Sequence, residues 1–282
     1  ADAGAVAVIG PYNSSVGVIN LPLYLKRGIV PVHMTSTNDT DGEGVTVQPK
    51  NNQVSPTELA YVEASGASSV VMLVDPSLYT QGMADRLADS LRSEGIAVTQ
   101  IPVAEGQSDY SAEVTQALDL APDLVYVSTY YPEGAKIATA LQASSANGPA
   151  CLMGLANVDP SFIAATTVDT AQRCVFSGVP AAPQMPGDRA AQFVRDYERA
   201  FDREPGVWGI FTYDSANVLF AALEQVGDTN FAPVLKELER TRGFAGATGE
   251  IAIDPKTGNR KVVPVYILEV DDTGTFVVAD AN

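Results

Sequence analysis

Histidine is almost missing from this 282-residue chain, where His33 stands alone. A Ser–His or Cys–His nucleophile pair could therefore be built only around it. His33 falls in an apolar run, the setting of a packed residue. Cysteine is nearly as scarce, with only Cys151 and Cys174, so no Cys/His cluster can hold zinc. There is no EF-hand spacing, no G-x-G-x-x-G and no P-loop. The "DDTGT" near the end is too short and isolated for a metal loop. No catalytic set, metal or cofactor is expected. No apolar run approaches the roughly 18 residues of a membrane helix. Positive charge is also short: 17 Lys and Arg face 34 Asp and Glu, a net charge of −17. So acidic a surface repels nucleic acid and anionic lipid. No signal peptide is recognised. Ala1 lies almost directly before a strand, so a processed or truncated form is expected.

What is present is a globular composition, 46% hydrophobic and 18% charged, long enough for two ordinary domains. Residues 5–40 organise the rest. Val6, Val8 and Ile9 form a short apolar run suited to a strand buried on both faces of a parallel sheet. The run stops at Gly10-Pro11. Asn13-Ser14-Ser15 resembles an N-cap, and helical spacing follows through Val18, Leu21 and Leu25. Pro22 should kink that helix or delay its start. A second strand, 29–32, ends in Thr35-Ser36-Thr37. Two successive parallel strands thus end in hydroxyl-rich loops. In an open α/β sheet, ligands bind just outside the carboxyl ends of strands. Ser14, Ser15, Ser36 and Thr37 then either form a donor surface for a small anion or only cap helices.

Further on, helices and strands alternate. Strands are expected at 69–74, 97–103, 124–127, 150–153 and 173–177, each preceded by a helix. This is βαβ repetition, hence a doubly wound parallel sheet. Polar residues 41–56 and Pro-rich residues 179–188 read as crossings between two lobes, and 253–262 as a third. Tyr79 follows one strand end closely, and Tyr130 and Tyr131 directly follow another. Tyrosines offer apolar surface plus a hydroxyl, which suits a small amphiphilic ligand.

An ordered set of segments carries a family resemblance: "VIGPYNSS", "GIVPV", "TST", "VVMLVDPSLYTQGMA", "DYSAEVTQAL", "PDLVYVSTYYPEGA", "TYDSANVLFAAL" and "GATGEIAID". Together they resemble the ABC-transporter substrate-binding proteins of the Leu/Ile/Val type. The resemblance implies α/β architecture of the type I periplasmic-binding kind, two doubly wound parallel-sheet lobes joined by three crossings. Lobe 1 would be 1–49 with 183–253, lobe 2 would be 50–182 with 254–282, and the ligand cleft would lie between them. It also implies a strand–helix–strand unit, on the order of 60 residues, ahead of the strand that opens this chain. That unit was removed, sits on another chain, or this version closes its sheet differently; a monomer is expected unless another chain supplies it.

By the same resemblance, Ser14, Ser36 and Thr37 hold a ligand carboxylate, and Tyr79 and Tyr130 line the opposing wall. Relatives that bind branched-chain amino acids carry a glutamate for the ligand ammonium, and the matching position here is Ala156. A buried ammonium without a carboxylate is costly. Asp75, Asp159 or Asp214 would have to substitute, or Asn157 would meet a neutral group instead. The expected ligand is an amino acid, a carboxylate or a neutral amphiphile. The expected partner is an ABC permease, and the expected location is extracytoplasmic. A ligand-sensing ectodomain of a receptor or kinase is the second expectation, and an enzyme on a Rossmann-like sheet the third. Such compartments are oxidising, which favours a Cys151–Cys174 disulfide over two separate buried thiols.

Overall fold

The computed structural model describes residues 3–144 and 148–279. The chain begins β1 (Ala7–Ile9), α1 (Ser14–Lys26), β2 (Val30–Val32), then α2 (Asn51–Ser65), β3 (Ser69–Val74), α3 (Leu78–Ser93), β4 (Ala97–Pro102) and α4 (Ser111–Asp119). It continues β5 (Leu124–Ser128), α5 (Tyr131–Ser144), β6 (Ala150–Met153), α6 (Pro160–Ala165), α7 (Val168–Gln172) and β7 (Val175–Gly178). Then come α8 (Asp188–Phe201), α9 (Gly209–Val226), α10 (Phe231–Glu239), β8 (Phe244–Gly246), β9 (Gly249–Ile251), β10 (Tyr266–Val270) and β11 (Phe276–Val278). Contacts divide the chain into two compact units, Ala1–Lys50 with Ala181–Pro264, and Asn51–Pro180 with Val265–Asn282.

In the first unit β1 and β2 pair in parallel, Ala7 opposite Val30. Val30, Val32, Val45 and Val47 pack with Val218, Leu219, Val234 and Ile251 in one core. Helix α1 begins at Ser14 and continues through Pro22, so its start is not delayed; proline there removes one backbone donor without ending the helix. The doubly wound parallel sheet expected for this lobe is reduced, among the described residues, to the β1–β2 pair. Single bridges extend it, Val32 to Val45 and Thr46 to Asn259. Strands β8 and β9 pair antiparallel instead, because their short turn leaves no room for the crossover that parallel pairing needs. Residues 254–264, expected with the second lobe, belong to the first unit. Arg260 N donates to Thr46 O at 2.8 Å and Thr46 N to Gly258 O at 2.9 Å. The Arg260 side chain is buried as well, donating to Thr248 Oγ1 at 2.7 Å and to the carbonyls of Thr248 and Glu250.

The second unit is built on a seven-stranded sheet ordered β11-β10-β7-β6-β5-β3-β4. Strands β3 to β7 are parallel, as the βαβ alternation predicts. The last pair is antiparallel to its neighbours. Asp271 closes the β10–β11 turn by accepting from Thr273 N at 2.8 Å and Thr275 N at 3.0 Å. Helices cover the faces of β3, so Val70 to Val74 are all buried. On one face Val70, Met72 and Val74 pack with Val62, Ala84, Leu87, Leu91 and Leu152.

Cys151 of β6 and Cys174, just ahead of β7, form a disulfide, with Cα atoms 4.5 Å apart. The register explains it, since Leu152 pairs with Val175 and the cysteines precede them in step. The bridge closes a 23-residue separation, worth about 3 kcal/mol on the chain-entropy estimate. Replacing both cysteines by alanine is expected to lower the unfolding free energy by about that amount, measured by urea denaturation under non-reducing conditions. The unreduced, denatured wild-type chain should titrate no thiol.

Glu58 of α2 is buried completely. Its Oε1 accepts from Tyr126 OH at 3.0 Å and Ser177 Oγ at 2.7 Å, while Oε2 has no partner among the described residues. Burial raises its pKa to about 7, although both hydrogen bonds oppose the shift. A carboxyl with a raised folded pKa stabilises the fold below its unfolded value. That contribution is lost as pH climbs through about 7. Wild type is therefore expected to lose stability relative to Glu58→Gln between pH 5 and 8, by about 3 kcal/mol. Parallel denaturation curves of the two proteins across that range check it; equal slopes would refute the raised pKa.

Candidate functional site

The first unit gathers its hydroxyls where β1 and β2 end. Ser14, the first residue of α1, is buried, and its Oγ accepts from Thr37 N at 3.3 Å. One turn on, Gly17 faces Thr35 so closely that a Cβ there would lie 2.4 Å from Thr35 Cγ2. Glycine at 17 is what lets the loop after β2 lie on α1. Thr37 caps a short 3-10 turn over Asn38–Thr40, accepting from Asp39 N at 3.3 Å and donating to Asp39 Oδ2 at 3.2 Å. The two expectations for these hydroxyls therefore divide. Thr37 caps, whereas Ser14 makes no helix cap and serves the neighbouring loop. Ser36 is buried beside them and Ser15 is exposed.

Beneath this loop lies a buried polar chain. Lys50 Nζ donates to Thr40 Oγ1 at 2.9 Å and pairs with Asp41 Oδ1 at 3.2 Å. Thr40 Oγ1 donates to Thr37 O at 2.9 Å. Thr35 Oγ1 lies 2.7 Å from Thr40 Oγ1 and 2.9 Å from His33 Nδ1. Burial lowers Lys50 to about 8, against the pull of Asp41 and Asp39. Burial, with Lys50 adding to it, also holds His33 well below its ordinary value, so the ring is neutral at pH 7. It is a packed residue, as its apolar run suggests. Nothing in "QPKNN" signals the role of Lys50.

The second unit gathers its groups at the carboxyl ends of β3 and β5. The Asp75 carboxylate accepts from Ser77 N at 2.9 Å, from Tyr130 N at 3.2 Å and from the Thr80 hydroxyl. Ser128 Oγ donates to Thr80 O at 2.8 Å. These bonds fix the loops bearing Tyr79 and Tyr130, whose rings sit 6.0 Å apart at 47°. Tyr79 is mostly covered; Tyr130 and Tyr131 are half-buried.

Ala156 is half-buried in the short turn Leu155–Asn157. Asn157 is fully buried. Its amide donates to Thr129 O at 3.0 Å and Gly154 O at 3.2 Å, so it clamps the loops after β5 and β6. Its Oδ1 finds no partner among the described residues. The acids considered as ammonium partners are engaged as well. Asp159 caps α6 through Ser161 N at 2.7 Å. Asp214 is buried and accepts from Ala247 N, Thr248 N and Thr248 Oγ1 at 2.6–2.8 Å.

The paired α/β units, the mainly parallel sheet and the hydroxyl-bearing strand ends define the type I periplasmic binding protein fold. A family model described as "Periplasmic binding protein" matches residues 1–275, and the chain belongs to that family, whose members are solute-binding proteins and not enzymes. A Leu/Ile/Val-binding protein, BraC3, from Rhizobium johnstonii is 26% identical over 232 residues, 80% of this chain. The chain spans 62% of that relative's length. Among solved structures, the leucine-binding protein LivK of Thermotoga maritima superposes with a TM-score of 0.88 at 24% identity, covering 98% of this chain and 79% of its own. The branched-chain amino acid transporter binding protein LivJ of Streptococcus pneumoniae, solved with isoleucine, gives 0.83 at 20% identity, covering 99% and 81%.

Helix α5 offers a check on the Asn157 clamp. A Cβ on Gly134 would lie 1.8 Å from Asn157 Oδ1 and 3.1 Å from Thr129 Oγ1. Gly→Ala inside a helix ordinarily stabilises by about 0.5–1 kcal/mol. At Gly134 the sign is expected to reverse, with a loss of about 1–3 kcal/mol as the clamp is displaced. A thermal or urea melt of Gly134→Ala decides; a stabilised variant would remove Asn157 as a clamp.

Proposed function

We propose that this protein is the extracytoplasmic solute-binding component of an ABC importer, taking a small carboxylate-bearing organic ligand. The observation that carries this is the Ser14–Thr37 junction at the ends of β1 and β2, in a chain of periplasmic-binding-protein family. In this proposal Ser14, Ser15, Ser36 and Thr37 supply donors to a carboxylate, and Tyr79 and Tyr130 meet the apolar part. Names of relatives support an amino acid or a close analogue. Ala156 and the engagement of Asp75, Asp159 and Asp214 weigh against an α-ammonium. An uncompensated buried charge costs several kcal/mol, a large share of the about 8 kcal/mol in a micromolar complex.

Native mass spectrometry of ligand carried through purification tests the function, followed by calorimetry with leucine and its 2-oxo analogue, 4-methyl-2-oxopentanoate. The carboxylate without the ammonium is expected to bind better than leucine. Micromolar or tighter leucine binding would show that another acid has taken the glutamate's place. Tyr130→Ala is expected to weaken the ligand by about 1–3 kcal/mol; unchanged affinity would remove Tyr130 from the site.

A further inference from the structure

We propose that Lys50 is a positioning residue for the ligand loop: its ammonium, held by Asp41 and Thr40, keeps Thr37 and Ser14 in their binding arrangement. This rests on the proposed role of that loop in ligand binding. Lys50 is the last residue of the first unit and directly precedes α2. Its side chain is 0% exposed, which lysine tolerates only when paired.

Hydrogen-bond accounting gives the chain a direction. A hydroxyl has one proton and two lone pairs. Thr40 donates its proton to Thr37 O and accepts from Lys50. Thr35 must therefore be the donor to Thr40 across 2.7 Å. Its own proton spent, Thr35 accepts from His33, so the ring carries its proton on Nδ1. Nε2 is then a bare acceptor, matching its lack of a partner among the described residues. Each Thr40 valence is used, and each bond points toward the loop. From Thr37 the line ends at Ser14 Oγ, through Thr37 N. The charged or titratable groups facing Lys50 are Asp41 and Asp39, which favour its charged form, and His33, whose charged form it opposes. Replacing the ammonium by an apolar group leaves one Thr40 lone pair without its donor and leaves the Asp41 carboxylate with only the side-chain amides of Asn38 and Asn259, which loosens the turn that carries Thr37.

The test needs no ligand. Hydrogen exchange at the Thr37 amide reports the bond to Ser14, and the Val30 amide, bonded to Val6 O at 3.0 Å, reports the strand pair of the same unit. In Lys50→Met, Thr37 protection is expected to fall about tenfold or more relative to Val30, the size of a lost hydrogen bond to a charged group. Lys50→Arg, which keeps the charge and the donors, should recover most of it. Equal loss at Thr37 and Val30, no loss at Thr37, or no recovery in Lys50→Arg would each overturn the assignment. Binding of 4-methyl-2-oxopentanoate, measured in parallel, should weaken about tenfold in Lys50→Met. If wild type binds neither this probe nor leucine, the proposed function fails, while Thr37 exchange still decides the role of Lys50.

Discussion

A single carboxylate holds together the working end of the second unit. Asp75 stands where β3 releases the chain, and it must satisfy donors from two different strand ends. Parallel strands make this necessary. Each strand leaves the sheet at the same edge, so backbone amides from several loops crowd there with no sheet partner. Asp75 answers Ser77 and Thr80 on the approach to α3, and Tyr130 on the approach to α5. The tilt of Tyr79 against Tyr130 follows from that placement. Asn157 does for β5 and β6 what Asp75 does for β3 and β5, using an amide where carbonyls need donors.

The first unit solves the same problem with hydroxyls. The loops after β1 and β2 meet through Ser14 and Thr37, and glycine at 17 permits the approach. The turn behind them rests on a buried ammonium. Buried charge recurs across the molecule: Lys50 and Arg260 in the first unit, Glu58 in the second. Such groups are poor sources of net stability, because desolvation offsets much of the attraction. Their bonds are directional, and some span 10 residues of chain, as from Lys50 to Thr40, and others 119, as from Glu58 to Ser177. Arg260 meets Thr248 and the carbonyls of the β8–β9 hairpin. Glu58 meets Tyr126 and Ser177.

Much of the fold was legible because its signals are local. Apolar runs of strand length, separated by helical spacing, predict β3 to β7 as parallel strands. The residues "VIGPYNSS" and "TST" mark two strand ends with hydroxyls. Where the outcome turned on pairing, local pattern was insufficient. Residues 244–251 form a hairpin of their own, and 266–270 join the seven-stranded sheet instead. Residues 254–264 stay with the first unit because Thr46 and Arg260 bind them there. Pro22 was expected to kink α1 or delay its start, and α1 already begins at Ser14.

The sequence by itself determined the class: α/β alternation, a family resemblance carried along nearly the whole chain, and the loops where binding groups stand. It also placed two cysteines at the start of successive strands, so that register alone brings them together. Tertiary structure decided what each polar side chain does. Ser14 and Thr37 look alike in the sequence, yet one serves a loop and the other caps a turn. Asn157, a candidate for meeting ligand, is a buried clamp on two carbonyls. Lys50 and Glu58 carry no local mark at all. The physical reason is range. Helix and strand propensities act over a few residues, whereas a buried donor takes whichever acceptor the fold brings within about 3 Å, and that acceptor lies anywhere from 2 to 218 residues away in the chain.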